Sequence, residues 1–139
     1  MGVEKALKYF IGDYFRVYIA YSRDRRTRFF SASGGVATAL LRYLLEKGYT
    51  DAVVMPRPRF KQGFVYGVWI IVKDPSKLLE FSGSLYTPVY DLPRVLTYAL
   101  SKFNHVAETA IPCYAKAIKK LSVSLGRSED VFILGLYCN

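Results

Sequence analysis

Residues 105–137, HVAETAIPCYAKAIKKLSVSLGRSEDVFILGLY, hold an apolar run, a helical pattern and a second apolar run. His105 to Ile111 and Val131 to Tyr137 read as strands, the second a continuous apolar run. Between them Tyr114, Ala117, Ile118 and Leu121 recur at helical spacing, opened by Pro112-Cys113. A strand–helix–strand unit of this kind favours parallel neighbours about 4.8 Å apart, joined by a right-handed crossover. Cys113 and Cys138 then fall just past the C-terminal ends of their strands, the edge where open α/β sheets place ligands. The expectation is that their Cα atoms lie within about 10 Å, on the same edge as Ser33 to Gly35; below about 7 Å a disulfide is also open.

The pattern extends outward on the N-terminal side. Val3, Ala6, Leu7, Phe10 and Ile11 form a helix face that Gly12 ends. Tyr14 to Tyr21, rich in aromatic and β-branched residues, reads as a buried strand, and Ser22 to Arg28 as a basic loop. Val36, Ala39, Leu40, Tyr43 and Leu44 mark a helix that Gly48 closes. Ala52 to Met55 reads as a short strand, Pro56 to Gly63 as a basic loop with two prolines, and Phe64 to Val72 as a longer strand. Asp74 caps a short helix through Glu80 with Pro75 in its first turn, and Ser82 to Tyr90 is irregular. Leu92, Val95, Leu96, Ala99, Leu100 and Phe103 form a second strong helix face, capped at Asp91 or its neighbour. Strands alternating with helices give the α/β class: a mostly parallel sheet with helices packed on its faces, in a single domain over residues 1–139. The last strand reads as central, which makes the end of the sequence abrupt.

Composition sets bounds on function. Hydrophobic residues make up 52% of the 139, enough for a packed core. Apolar runs stay short of a membrane span, and Glu4, Lys5 and Lys8 interrupt the first helix, unlike a signal peptide, so a cytoplasmic location is expected. Two cysteines are too few for a disulfide framework or a closed metal site, and the single histidine, His105, argues against a catalytic triad or a histidine-based metal centre. One glutamine and two asparagines suit a thermophilic source. The net charge of +9 is clustered at Arg23 to Arg28, at Arg57 to Lys61 and at Lys116 to Lys120, which favours anionic partners unless these are simply solvated faces.

Three motifs bear on chemistry. Ser33-Gly34-Gly35 stands at a helix start, where free N–H groups and the helix dipole attract anions and glycines allow close approach. A plainly capped helix start is the alternative, since neither dinucleotide fingerprint is met. Gly83-Ser84-Leu85-Tyr86-Thr87-Pro88 is a hydroxyl-rich loop, either functional or held by turn chemistry alone. Cys113 opens a helix, a position that favours thiolate or metal-ligand chemistry; an inert buried thiol is the alternative.

Together these blocks, with Gly135-Leu136-Tyr137-Cys138, resemble the coenzyme F-420 hydrogenase/dehydrogenase beta-subunit family over most of the chain, from about Tyr14 to Cys138. The resemblance implies a flavoprotein that passes electrons between reduced deazaflavin and iron–sulfur clusters. It places Ser33, Gly34, Gly35, Gly83, Ser84, Tyr86 and Thr87 around a flavin such as FAD. It makes coenzyme F-420 the substrate, and makes Cys113 and Cys138 partial ligands of an iron–sulfur cluster completed by another chain. Members usually carry Gly-Thr before the Pro-Cys pair and Gln after it; here Ala110, Ile111 and Tyr114 stand there, which implies a more crowded, less polar pocket. The family's larger C-terminal part is not represented, which implies a truncated paralogue, a separately encoded half or a fragment.

The expected function is therefore a flavin- or deazaflavin-binding redox domain that works with a redox partner subunit or a C-terminal half. The alternative is a non-catalytic binding module whose basic loops hold nucleic acid or an acidic protein, Arg25 to Phe30 setting arginines beside aromatics.

Overall fold

The structure, a computed structural model, describes residues 3–137. Five strands form one sheet in the order β3-β2-β1-β4-β5. They are β1 (Ala52–Lys61), β2 (Phe64–Val72), β3 (Val89–Tyr90), β4 (Val106–Ala110) and β5 (Val131–Gly135). The pairs β1–β4, β4–β5 and β2–β3 are parallel, and β1–β2 is antiparallel. The strand–helix–strand expectation for residues 105–137 holds, with α5 (Pro112–Ser124) between β4 and β5. β4 has helices over both its faces, so it lacks polar alternation: Val106, Ala107 and Ala110 are all buried. β5, which the sequence suggests is central, is an edge strand among the described residues.

Two layers of helix cover the sheet. On one face α3 (Val36–Glu46) and a 3-10 turn, Pro75–Phe81, pack Leu41 and Leu78 against Val53, Met55, Val72 and Ala107. On the other, α4 (Leu92–Lys102) and α5 pack Leu92, Leu96, Leu100 and Ile118 against Val54, Trp69 and Val106. The helix ends follow from local chemistry. Gly48, at φ 68°, lets α3 close with Tyr49 N–H donating to Leu44 O and Gly48 N–H to Leu45 O. Arg127 closes α4 from a distance, its guanidinium donating to Leu100 O (2.7 Å), Phe103 O (3.1 Å) and Asn104 O (3.0 Å) while pairing with Asp130. Asp51 accepts from the N–H groups of Asn104 and His105 at 2.9 Å each, joining the starts of β1 and β4. Asp74 caps the 3-10 turn as expected, accepting from Ser76 N–H at 2.9 Å.

Three expectations are corrected. Tyr14 to Tyr21 is not a buried strand: it pairs with nothing in the sheet, and Phe15 and Ile19 are fully exposed. Its composition favours a strand, but among the described residues no strand lies alongside to complete one. Ser22 to Arg28 is not simply a loop, because α2 (Arg25–Phe30) begins inside it. Asp24 nucleates that helix by accepting from Arg26 N–H (3.1 Å) and Thr27 Oγ (2.6 Å). Pro56 to Gly63 is not a loop either. β1 runs on to Lys61 and returns through Gln62 and Gly63, both at positive φ, in a two-residue hairpin. Lys61 faces Phe64 across that turn, so Pro56 and Pro58 fall opposite Trp69 and Gly67 at non-hydrogen-bonded positions. Their missing N–H groups point away from β2, where β4 has already ended its pairing at Val54.

Candidate functional site

The segments that flank the two loop blocks singled out in the sequence touch, through Ser82 and Phe30. Ser82 Oγ lies 3.0 Å from Phe30 O, at the end of α2, and 2.9 Å from Leu79 O, its one proton serving either. Gly83 follows at φ 107°, with Phe30 O as its neighbour at 4.0 Å from an added Cβ. Three residues after Phe30 comes Ser33-Gly34-Gly35, so the Gly83 loop stands beside the segment that enters α3.

Gly35 is the N-cap of α3, at φ 75°, and no side chain caps the helix; Ser33 does not fill that role. The first N–H groups of α3 are thus left for an outside acceptor. The glycines also serve the chain itself. A Cβ on Gly34 would meet Ala20 O at 3.1 Å and Tyr21 Cβ at 3.2 Å, and Gly34 O accepts from Ser22 N–H at 2.7 Å. A Cβ on Gly35 would meet Ser31 Oγ at 3.1 Å and Thr27 Cγ2 at 3.2 Å. Close packing of residues 20–35 therefore requires both glycines before any ligand does.

α3 ends beside the start of β1, where Thr50 N–H reaches Leu44 O, so its Gly35 end lies toward the opposite, C-terminal edge of β1. A cleft of about 530 Å³ runs along the flank of α3 against α2 and the 3-10 turn, with Arg26, Thr38, Arg42 and Ser76 on its walls. Arg42 is partly engaged, bonded to Glu46 at 2.7 Å and 3.8 Å from Asp24. The Asp24 carboxyl is held below its ordinary range, first by the Thr27 hydroxyl and then by the Arg26 N–H. Tyr86 is almost wholly exposed, Ser84 is exposed, and Thr87 Oγ donates to Val65 O at 3.3 Å, tying the loop to β2.

Cys113 is an exposed thiol in the first turn of α5, at the C-terminal end of β4 as expected. Cys138 lies outside the described residues, and so does the expected Cys113–Cys138 separation. Among the described residues no group of three or more His, Cys, Asp or Glu side chains could hold a metal. Tyr114 turns inward, its ring edge-on to Trp69 at 5.6 Å and its hydroxyl donating to Val89 O at 2.9 Å, so the space beside the Pro-Cys pair is filled by packing.

Sequence reading missed Glu108, fully buried at the centre of β4 on the α4–α5 face with neither carboxylate oxygen bonded. Burial pushes its pKa up to about 8. Trp69 Nε1, on the same face of the sheet, is also without a partner. A lone acid inside an apolar strand was the available signal.

The sequence profile described as coenzyme F420 hydrogenase/dehydrogenase, beta subunit N-term, matches residues 17–97. The chain belongs to this family. The matched span contains both loop blocks and stops before Cys113. The chain is similar to the F420-dependent formate dehydrogenase subunit beta of Methanocaldococcus jannaschii, with 32% identity over 76% of this chain and 27% of that protein. It is similar to the coenzyme F420 hydrogenase subunit beta of Methanothermobacter thermautotrophicus, with 27% identity over 92% of this chain and 47% of that protein. Its fold matches a chain of the F420-reducing [NiFe] hydrogenase complex from Methanosarcina barkeri, with a TM-score of 0.73 and 22% identity over 85% of this chain and 42% of the other. The chain thus spans less than half the length of these relatives. Among the described residues no helix is long and apolar enough to cross a membrane.

Proposed function

We propose that this F420-linked family member is a flavin-binding redox module that acts with a partner subunit or a further domain. The observation that carries the reading is the contact of Ser82 with Phe30, which brings the residue before the Gly83 loop to the segment leading into an uncapped α3 N-terminus, inside the span that matches the family. Those N–H groups, with Arg26 and Thr38 on the adjoining cleft, fit the anionic part of FAD or a related flavin. Tyr86, exposed on the facing loop, suits contact with its ring system. A bound flavin would supply hydride acceptance and single-electron release, and this chain would bind and orient it. F420 is the proposed hydride donor. An iron–sulfur cluster fits less well: Cys113 is the sole described thiol, so a cluster would need ligands from Cys138 and from another chain.

Fluorescence titration of the chain with FAD tests the reading. Tyr86→Ala and Arg26→Ala should each weaken flavin affinity by about tenfold with melting temperature unchanged, since both side chains lie outside the core. No flavin bound by the parent, or equal affinity in both variants, would overturn it. Gly34→Val is the wrong probe, because it would also wedge apart Ala20 and Tyr21.

A further inference from the structure

Past Val54 β1 pairs only with β2, and beyond the short β3, which adjoins β2 opposite Arg57 and Pro58, the β1–β2 hairpin stands free of other strands. Seven residues of β1, Met55 to Lys61, span about 23 Å at the rise of a strand. From Ala52 to Lys73 the sequence holds no acidic residue. Register sorts the arm into two faces. Arg57, Arg59 and Lys61 share the α3 side with their cross-strand partners Val68, Tyr66 and Phe64. The other side carries Pro56, Pro58 and Phe60. Among the described residues no carboxylate pairs with Arg57, Arg59 or Lys61. Arg57 is positioned by the Phe81 ring, 5.1 Å beneath its guanidinium. Arg59 and Lys61 are exposed, and Tyr66 is half-buried beside them.

Each outer cation therefore has an aromatic ring as its cross-strand neighbour, with Cβ atoms about 5 Å apart. Successive cations stand about 7 Å apart along the strand. That pairing suits a small molecule carrying phosphates and a planar ring together. An acidic peptide would use the cations and leave the rings idle. We propose that the arm is a nucleotide-binding surface, with Arg57, Arg59 and Lys61 holding the phosphates of a nucleoside diphosphate and Tyr66 stacking its base. The ligand can be free, or the nucleoside diphosphate part of a dinucleotide such as FAD, in which case the inference deepens the flavin reading. The arm faces the side of the sheet that carries α3 and Phe81, next to Ser82 and its bond to Phe30, so one extended ligand could touch both places.

The test titrates the chain with ADP, with inorganic pyrophosphate, with riboflavin and with short oligodeoxythymidine. The parent should bind ADP with an affinity that falls as salt rises. R59A/K61A should lose about tenfold or more for ADP and pyrophosphate, as two charge-assisted contacts imply. Tyr66→Thr, which keeps strand propensity, should lose several-fold for ADP and nothing for pyrophosphate. Both variants should melt at the parent's temperature, because the arm lies beyond the core. Riboflavin, which has no phosphate, should be indifferent to R59A/K61A. If FAD affinity is unchanged by Tyr86→Ala and Arg26→Ala while ADP behaves as described, the flavin reading falls and the arm proposal stands. No ADP binding, ADP affinity unchanged in either variant, or oligodeoxythymidine bound far more tightly than ADP would each overturn the proposal.

Discussion

Val106–Ala110 and Tyr14–Tyr21 both read as parts of strands, yet one is an interior strand of the sheet and the other lies on the surface, unpaired to any strand among the described residues. β4 is flanked by β1 and β5 and roofed by helices on both faces, so even its glutamate is wholly buried. The N-terminal run is held at its far end, where Ser22 N–H reaches Gly34 O. Strand propensity expresses how well a side chain suits a pleated, half-buried surface. Without a neighbour to supply the ladder, that suitability has nothing to act on.

The sharpest way to probe the contrast is to titrate the one acid that β4 buries. Glu108 has a folded-state pKa of about 8, above the ordinary carboxylate value of 4.5. Between those pH values the folded chain keeps a proton that the unfolded chain has released. Stability should therefore fall as pH rises from about 4.5 to 8 and level off above, by on the order of 5 kcal/mol in all. Glu108→Gln should remove that slope, so the difference in urea midpoint between the two proteins should widen with pH. A constant difference from pH 5 to 9 would show that the carboxyl reaches water.

Leu96→Ala comes next, since Leu96 is fully buried over the same face as β4. A loss of about 3 kcal/mol is expected, read from urea unfolding at fixed pH. Arg127→Ala should cost about 2 kcal/mol by freeing the three carbonyls at the end of α4, and hydrogen exchange should rise first in residues 100–104. Phe15→Ser and Ile19→Ser, on the exposed run, should each change stability by less than about 0.5 kcal/mol. A loss above 2 kcal/mol from either would mean that this segment is packed in solution, and the contrast with β4 would collapse.

The parts legible in the sequence were those fixed by local pattern. The faces of α3, α4 and α5, the Asp74 cap and the strand–helix–strand unit follow from spacing within a few residues. The short helix after Asp24 was also locally encoded, since Thr27 stands where an aspartate cap needs a partner, but the arginines around it read as a loop. What escaped depended on distant neighbours. The prolines of β1 are permitted only because a two-residue turn places them at outward positions and because β4 stops at Val54. Of the candidate site, the order of the blocks was visible, but the Ser82–Phe30 bond joins residues 52 apart in sequence. The second use of Gly34 and Gly35, as packing against residues 20–31, was equally out of reach.

Those two prolines also bear on how the protein behaves in a crowded solution. A free strand edge is a template for another chain, and Pro56 and Pro58 remove alternate donors from the open side of the arm. The outer edge of β5, Val-Phe-Ile-Leu-Gly, has neither a proline nor a charge to blunt it. If isolated chains begin to stack into a shared sheet, growth should start at β5 and leave the arm at liberty. A solubilising substitution therefore belongs at the half-exposed Phe132, where a lysine would repel an incoming strand without touching either loop block or the arm.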